Sequence, residues 1–392
     1  MKTARVGDLA EQLRGVTFSK FDAAPSPRAG YVPVLTAGNI QDGRLITSTL
    51  TYVPSSKVGA KQLVRENDVV ICTSSGSLGV VGKAARSDGS FSGGFGAFLK
   101  VLRPGPEVDP RYFAHYFQTP SYRRIISSQA AGANINNLKN EHLNNLDIPL
   151  PPLPEQRRIA AILDHADALR AKRRRVLAQL NSLTQSMFHH TFGSESRVDF
   201  GTLMADGPKN GLYRPASDYG SGTPIVRIDS FKFGSSVIHV DSLRRLRASP
   251  AQVQEFGLQV GDLLVNRVNS REHVGKTALV GPLQEATVFE SNMMRIRVDR
   301  DLVLPVFVAE FMQTKDVRAQ VKPMTKDAVN QSSINQTDVR SIQVPLPSLD
   351  VQRVFAARVA LIDSQGDLIR RALVADETLF ASLQVRAFRG EL

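Results

Sequence analysis

The chain has 392 residues, with 49 Lys and Arg against 37 Asp and Glu, so that its net charge at pH 7 is +12. This length predicts two or more folded domains, and 42% hydrophobic with 22% charged residues excludes the disordered and fibrous classes. No stretch approaches the ~20 apolar residues of a membrane helix. The charged start does not resemble a signal peptide, and a lone Cys72 cannot form an internal disulfide, so we expect a cytoplasmic protein.

The first 153 residues are predicted to form a β-rich, mixed domain. Residues 68–72 and 97–102 are strand-like runs bounded by Gly, Ser, Asn and Pro, and a short helix is expected near 110–118. Cys72 lies in a run typical of a buried strand, which favours an inert thiol. Residues 194–349 show the same pattern, and the fold class is therefore α+β.

Residues 154–193 and 350–392 are each predicted to form a long helix after a proline-rich hinge. From Ile159 onward apolar residues recur every three or four positions, which is typical of a coiled-coil seam, and Arg173 interrupts that seam. Arg173 could pair with Asp376 of an antiparallel partner helix, or it could contact a nucleic-acid phosphate. Two such helices in one chain most simply pair with each other, through Ile159, Ile162, Leu169, Val176, Leu180, Leu183, Phe355, Ile362, Ile369, Leu379 and Leu383.

The chain repeats once, at a spacing of about 196 residues. The hinge at 146–157 returns as 342–353, with eight apolar or identical positions in register. A weaker match extends upstream, where 110–119 corresponds to 305–314. The order is therefore domain, helix, domain, helix, and each half is one copy of the other.

The motifs of common enzymes are missing from the sequence. Residues 270–277 end like a phosphate-binding loop, but Ser270 stands where the loop needs its first glycine, and the residues after it predict a strand rather than a helix. There is no HExxH pair, no cysteine and histidine set for zinc, no GxSxG elbow and no glycine-rich cofactor loop. We therefore expect a non-catalytic chain with no metal or cofactor of its own.

Cations and short polar side chains at the predicted loops are suited to contact phosphates and base edges. A solvated turn is an equally good interpretation of any one of them, and helix capping is slightly favoured for Asn134, Asn136 and Asn330. The candidate DNA-binding residues are Thr36, Asn39, Ser74, Ser75, Ser77, Lys83, Arg86, Asn134, Asn136, Arg227, Asp229, Ser230, Arg267, Asn269, Ser270, Arg271, Lys276, Asn292 and Asn330.

The hinge at 148–159, its echo at 344–353 and the chain end at 387–392 resemble the specificity subunit of type I restriction–modification systems. The opening residues 6–10 and 32–40 are also similar to that family. The second hinge departs from the family pattern, because Asp350 and Val351 replace the usual Pro-Glu. The resemblance covers the whole chain in two copies.

The resemblance implies two target recognition domains, at 1–153 and 194–349, that each read one half of a bipartite DNA site. The helices at 154–193 and 350–392 would form an antiparallel pair, related by a pseudo-two-fold axis, that sets the spacer and docks two modification (methyltransferase) subunits. Restriction (translocase/nuclease) subunits would join through those. S-adenosylmethionine would belong to the modification subunits, and ATP and Mg to the restriction subunits.

Two other functions stay open from the sequence alone. The chain could be a self-sufficient modifying enzyme with an unrecognised motif, which binding of S-adenosylmethionine by the isolated chain would reveal. It could also be a stand-alone nucleic-acid- or protein-binding scaffold with no modification partner. Sequence-dependent affinity for duplex DNA separates that scaffold from the specificity subunit.

Overall fold

The computed structural model describes residues 2–130, 136–231, 238, 243–328 and 331–392. The chain divides into two units. Unit 1 comprises residues 1–173 and 371–392, and unit 2 comprises residues 174–370. Each unit therefore combines one β-rich region with parts of both long helices, and the mixed α+β class is confirmed.

Unit 1 contains thirteen short strands within its described residues. They are Thr3–Arg5, Ala10–Arg14, Tyr31–Leu35, Ile40–Gln41, Arg44–Leu45, Thr51–Pro54, Val69–Cys72, Ser74–Ser75, Ala84–Arg86, Gly94–Phe95, Leu99–Pro104, Asn136–Asn137 and Asp147–Pro149. Its short helices are Val6–Leu9, Ala37–Asn39, Ser55–Lys57, Ala60–Gln62, Pro110–Tyr116, Pro120–Ala130 and Asn140–Asn144. The first long helix, Leu153–Phe192, begins in this unit and has 40 residues.

The strands of unit 2, as far as the structure describes it, are Arg197–Asp199, Met204–Asn210, Tyr219–Val226, Arg244–Leu246, Leu263–Asn266, Val268–Asn269, Thr277–Leu279, Val288–Phe289, Met293–Val298, Lys326–Ala328, Gln331–Ser333 and Gln343–Pro345. Its short helices are Phe200–Leu203, Ala216–Asp218, Pro250–Phe256, Pro305–Phe311, Lys315–Met324 and Gln336–Arg340. The second long helix, Leu349–Ala387, begins here and has 39 residues.

The main sheets of the two units have the same topology. In unit 1 the four antiparallel strands lie in the order Ala10–Arg14, Leu99–Pro104, Val69–Cys72 and Ala84–Arg86. In unit 2 the corresponding order is Met204–Asn210, Met293–Val298, Leu263–Asn266 and Thr277–Leu279. A three-stranded sheet accompanies each, built on Tyr31–Leu35 or on Tyr219–Val226. The internal repeat predicted from the hinges thus extends through the β-rich regions.

The residues that imitate a phosphate-binding loop form a turn that both units share. Gly82 and Gly275 have φ of +79° and +80°, a conformation that glycine adopts without a side-chain clash. The Gly82 N–H donates to the Cys72 carbonyl at 2.7 Å, and the Gly275 N–H donates to the Asn266 carbonyl at 2.9 Å. The strand Thr277–Leu279 follows, so the predicted strand is confirmed, whereas a phosphate-binding loop would continue into a helix.

Each long helix begins in one unit and ends in the other. The core of unit 1 contains Ile159 and Leu163 from the start of the first long helix together with Phe380 and Ala387 from the end of the second. In unit 2 the end of the first long helix contributes Phe188, whose ring centroid lies 5.4 Å from that of Phe355 at the start of the second. Each β-rich region therefore anchors one helix by its beginning and the other by its end.

One buried glutamine fixes the start of each long helix. The Gln156 Oε1 accepts a hydrogen bond from the Asp109 N–H at 2.8 Å, and its Nε2 donates to the Pro151 carbonyl at 2.8 Å. In unit 2, Gln352 accepts from the Leu304 N–H at 2.8 Å and donates to the Pro347 carbonyl at 2.9 Å. Each hinge glutamine therefore satisfies one carbonyl of the proline-rich segment and the backbone N–H of the residue before a short helix, Pro110–Tyr116 or Pro305–Phe311.

The helices run antiparallel where they meet in unit 1. Arg173 is hydrogen-bonded to Asp376, and the Arg170 guanidinium lies 3.9 Å from the Phe380 ring centroid, so residue numbers rise on one helix as they fall on the other. Of the two interpretations of Arg173, the structure supports pairing with Asp376. A cation over an aromatic ring contributes about 0.5 to 2 kcal/mol.

The buried seam lies one residue away from the predicted seam over much of its length. Leu169, Leu183 and Leu379 are 40%, 50% and 53% exposed, which corrects their assignment to helix pairing, while Leu163, Thr184, Phe188 and Phe380 are buried instead. Ile159 and Phe355 are buried, and the other predicted residues, Ile162, Val176, Leu180, Ile362, Ile369 and Leu383, are half-buried.

Candidate nucleic-acid interface

Polar side chains of unit 1 line a cleft of about 650 Å³, which we call the unit 1 cleft. Two of the predicted DNA-binding residues, Thr36 and Ser74, lie in its wall, together with Thr73 and Asn137. These residues come from the ends of different strands, and the sheet brings them together. Their hydroxyls and amide are groups that can donate to and accept from base edges.

The unit 1 cleft has a positive charge. Arg14, Lys100 and Lys139 lie in its lining, and none of the described residues that line it is a carboxylate. Lys100 Nζ donates to the Leu138 carbonyl at 3.2 Å, and burial, with a smaller effect from Arg14, lowers the pKa of Lys100. Lys139 Nζ lies 3.5 Å from the Glu141 carboxylate, which is outside the lining, so the cleft keeps an excess of positive charge. Such an excess favours a polyanionic ligand.

A small two-stranded ribbon forms one side of this cleft. Ser74–Ser75 pairs with Asn136–Asn137 in antiparallel register. The capping interpretation of Asn136 is therefore wrong, because its backbone belongs to a strand and the residue that precedes the next helix is Lys139. The equivalent cap in unit 2 is Asn335, whose side chain accepts from the Asp338 N–H at 2.9 Å.

Several candidates of unit 1 lie away from the cleft. Asn39 is buried, with its Nδ2 donating to the Ile46 and Thr49 carbonyls, so it holds a loop. Lys83 lines a separate opening of about 380 Å³ beside Arg123 and Arg170. Arg86 donates to Asn67 Oδ1 at 2.8 Å. Ser77 is exposed, and Asn134 falls outside the described residues.

Unit 2 brings its own candidates to the corresponding strand ends. The Arg267 N–H donates to the Asn292 carbonyl at 2.9 Å, and Arg267 Nη1 donates to the Ser291 carbonyl at 3.4 Å. Val268–Asn269 pairs with Gln331–Ser333, the counterpart of the unit 1 ribbon. At the edge of this ribbon, Arg271 forms an ion pair with Asp327 at 2.9 Å and Ser270 Oγ lies 2.8 Å from His273 Nδ1.

Other unit 2 candidates have structural contacts. Arg227 forms an ion pair of 3.1 Å with the buried Glu290, and the Ser230 hydroxyl accepts from the Arg227 N–H at 2.9 Å. Lys276 is buried and donates to the Ile228 and Phe231 carbonyls at 2.7 and 2.6 Å. Burial lowers the pKa of Lys276, partly opposed by Asp229, which is itself exposed. Asn330 lies outside the described residues.

Thr73 and Asn137 of the unit 1 cleft are not among the sequence candidates. Four further lining residues are also absent from them, namely Arg14, Phe98, Lys100 and Lys139. Arg14 and Lys100 lie opposite each other on neighbouring strands, where a charged residue is easily interpreted as part of the solvent-exposed face of the sheet. Phe98 precedes a strand and resembles a core residue. Alignment of the two repeats could have found it, since residue 98 corresponds to the candidate Asn292.

The described part of the chain was searched for metal-binding clusters and for membrane-spanning helices. No group of three or more His, Cys, Asp or Glu side chains among those residues is arranged to hold a metal ion. No described helix has the length and apolar character needed to cross a membrane. Cys72 is buried in its strand, as predicted, and burial raises the pKa of its thiol, which disfavours the reactive thiolate.

Comparison with solved structures shows the fold. One similar chain comes from a study of "complex assembly and conformational transition of the type I R-M system", with a TM-score of 0.52, 18% identity and coverage of 100% of this chain and 98% of that one. Another is the crystal structure of a type I restriction–modification S subunit from M. genitalium, with a TM-score of 0.51, 16% identity and coverage of 99% and 96%.

Comparison of sequences shows the family. Residues 1–182 match the family described as "Type I restriction modification DNA specificity domain". The type I restriction enzyme EcoKI specificity subunit of Escherichia coli (strain K12) is 33% identical over 99% of this chain and 88% of its own length. The StySPI specificity subunit of Salmonella potsdam is 31% identical over 100% and 89%. The chain therefore belongs to the type I restriction enzyme specificity subunits, the non-catalytic components that give these systems their DNA specificity.

Proposed function

We propose that the β-rich region of each unit reads one half of a bipartite DNA site, and that the two long helices set the spacer between the halves. The observation that carries this proposal is the repeat: two sheets of the same strand order present different polar loops at equivalent strand ends. One scaffold with two sets of reading groups is what recognition of two different half-sites requires.

The contacts that we propose are a subset of the sequence candidates. In unit 1 they are the cleft residues Thr36 and Ser74 with the neighbouring Ser75 and Ser77, and in unit 2 they are Arg267, Asn269, Ser270, Arg271 and Asn292. Asn39 and Lys276 are left out because both are buried and engaged with backbone carbonyls. The net charge of +12 supplies the sequence-independent attraction to the phosphate backbone.

The partners follow from the chain's place in a type I complex. As a non-catalytic subunit it requires others for chemistry, and we propose that two modification subunits dock on the long helices, one for each copy of the repeat. Methyl transfer from S-adenosylmethionine, with the base flipping that it needs, takes place in those subunits. Restriction subunits, which use ATP and Mg, join through them.

Mapping of N6-methyladenine tests this proposal. Genomic DNA from cells that carry the chain with a modification subunit is compared with DNA from cells that lack only the gene for this chain. The expected result is a two-part motif with an unread spacer that is methylated in the first cells alone. A methylation pattern that does not change when the chain is removed, together with sequence-independent binding by the purified complex, would contradict the proposal.

Shortening both long helices by one heptad is expected to change the spacer alone. Removal of residues 174–180 and 369–375 keeps the Arg173 to Asp376 contact and takes about 10 Å from each helix, or about three base pairs at 3.4 Å each. The measurement is the methylated motif of the variant. Both half-sites should be kept with a shorter spacer, whereas an unchanged spacer would show that the helices do not set it.

A further inference from the structure

The ring of Phe98 lies at the unit 1 cleft and is 68% exposed to solvent, although its backbone is fixed. Its carbonyl accepts hydrogen bonds from the Thr73 N–H at 2.9 Å and from the Ser74 N–H at 3.2 Å. A large apolar side chain on a firmly held backbone, surrounded by polar and cationic groups, is suited to contact a ligand rather than to fill a core.

The internal repeat gives this position its counterpart. In unit 2 the Asn292 carbonyl accepts from the Arg267 N–H at 2.9 Å and from the Val268 N–H at 3.3 Å, which reproduces the two bonds of Phe98. Both residues lie within the same kind of turn, since the Leu99 N–H donates to the Gly96 carbonyl and the Met293 N–H donates to the Glu290 carbonyl. Residues 98 and 292 therefore share their backbone hydrogen bonds, but their side chains differ, since one is a phenylalanine ring and the other an asparagine amide.

A position with a constant backbone and a variable side chain is what a specificity-determining site needs. In the major groove an asparagine amide can bond to the N6 and N7 edge of adenine, while a phenylalanine ring can pack on the C5-methyl group of thymine. Thymine presents the only methyl group among the four unmodified bases, so an exposed ring among hydrogen-bonding groups has one apolar partner in that groove.

We infer that Phe98 determines specificity in the half-site read by unit 1 by packing against the methyl group of a thymine. This inference rests on the proposed function and adds to it one residue and the base that the residue recognises. In this proposal Arg14 and Lys139 of the same cleft contact the phosphate backbone, and Thr36 and Ser74 bond to the neighbouring base edges.

A cycle of protein and DNA substitutions tests the inference. The chain in complex with its modification subunits is titrated with duplexes in which each thymine of the mapped motif is replaced in turn by deoxyuridine, which removes only the methyl group. For the unaltered chain, one replacement in one half-site should weaken binding about fourfold, the effect of one buried methyl-sized group. Phe98→Ala should bind the thymine and deoxyuridine duplexes equally, and Phe98→Leu should keep part of the difference.

Phe21→Ala is the matched control, since Phe21 is 100% exposed and is not part of the cleft lining. It should leave every duplex affinity unchanged. The inference is overturned if Phe98→Ala still discriminates thymine from deoxyuridine, if it weakens all duplexes alike, or if neither half-site contains a thymine whose methyl group matters. Failure of the proposed function looks different, because the unaltered chain would then show no sequence preference at all.

Discussion

Replacement of Phe380 by alanine is expected to destabilise unit 1 by about 3 to 5 kcal/mol, the cost of removing a buried aromatic side chain. The effect should reach residues 1–150, although they are distant from Phe380 in sequence. Phe380 is buried in the core that contains Tyr112 and Tyr116. Phe388 packs against the same core, with its ring centroid 4.9 Å from that of Tyr112, and Phe388→Ala should add to the loss. Hydrogen exchange should report faster exchange in the peptides of residues 99–150 and an unchanged rate in those of unit 2.

The control for this variant is Leu379→Ala, one residue away on the same helix. Leu379 is exposed, so its removal should change the unfolding free energy by no more than about 0.5 kcal/mol. Equal effects of the two variants would mean that the end of the second long helix does not pack on the β-rich region of unit 1. In unit 2, Phe188→Ala is the equivalent change and should loosen that unit alone.

Arg103→Met is expected to cost unit 1 about 3 to 5 kcal/mol, because it leaves a buried carboxylate without its cation. Arg103 Nε and Nη2 each donate to the buried Asp68 carboxylate at 2.8 Å, and this hydrogen bonding raises the pKa of Arg103. Asp68 also accepts from the Arg65 N–H at 2.8 Å, so it closes the turn that leads into the central strand. Chemical denaturation followed by a probe in unit 1 measures the loss.

Two comparisons make this prediction specific. Lys61→Met removes the exposed partner of Glu11 in the same unit and should change the unfolding free energy by at most about 1 kcal/mol. Arg297→Met should have its effect in unit 2, where Arg297 donates to Asp262 at 2.8 Å. If Arg103→Met cost no more than Lys61→Met, the charge of Asp68 would be satisfied by other groups.

The sequence contained enough information for the domain order because its strongest signals are long or repeated. A hinge that recurs about 196 residues later predicts a repeated fold wherever the apolar pattern also recurs, and the strand orders of the two sheets agree with this. The long helices were predicted because an apolar step of three or four residues continues over many turns. Neither prediction needed the identity of a single contact.

The seam between the helices was harder to predict, because adjacent apolar residues allow two registers. Ile162 and Leu163 both fit a step of three or four, and the choice is made by packing on the β-rich region, which buries Leu163. Farther along, Arg170 occupies the seam by stacking on Phe380. A count of apolar residues scores arginine as polar, so it moves the predicted seam to Leu169.

The candidate site was predicted less well, since a polar loop residue has the same appearance whether it supports the fold or binds a ligand. Lys83 and Lys276 are equivalent in sequence, yet the first is exposed and the second is buried between carbonyl groups. Burial of that kind depends on the neighbouring loop and not on the residue itself. Phe98 was missed for the opposite reason, because an aromatic residue beside a strand is usually part of the core.

The hinge glutamines have a consequence for sequence change in the β-rich regions. Gln156 and Gln352 join the helices to the β-rich regions through backbone N–H and carbonyl groups alone. A joint made to the main chain depends little on which side chains surround it, so we expect it to be kept when the polar loops change. Exchange of one β-rich region for that of a related chain is therefore expected to leave both hinge joints intact.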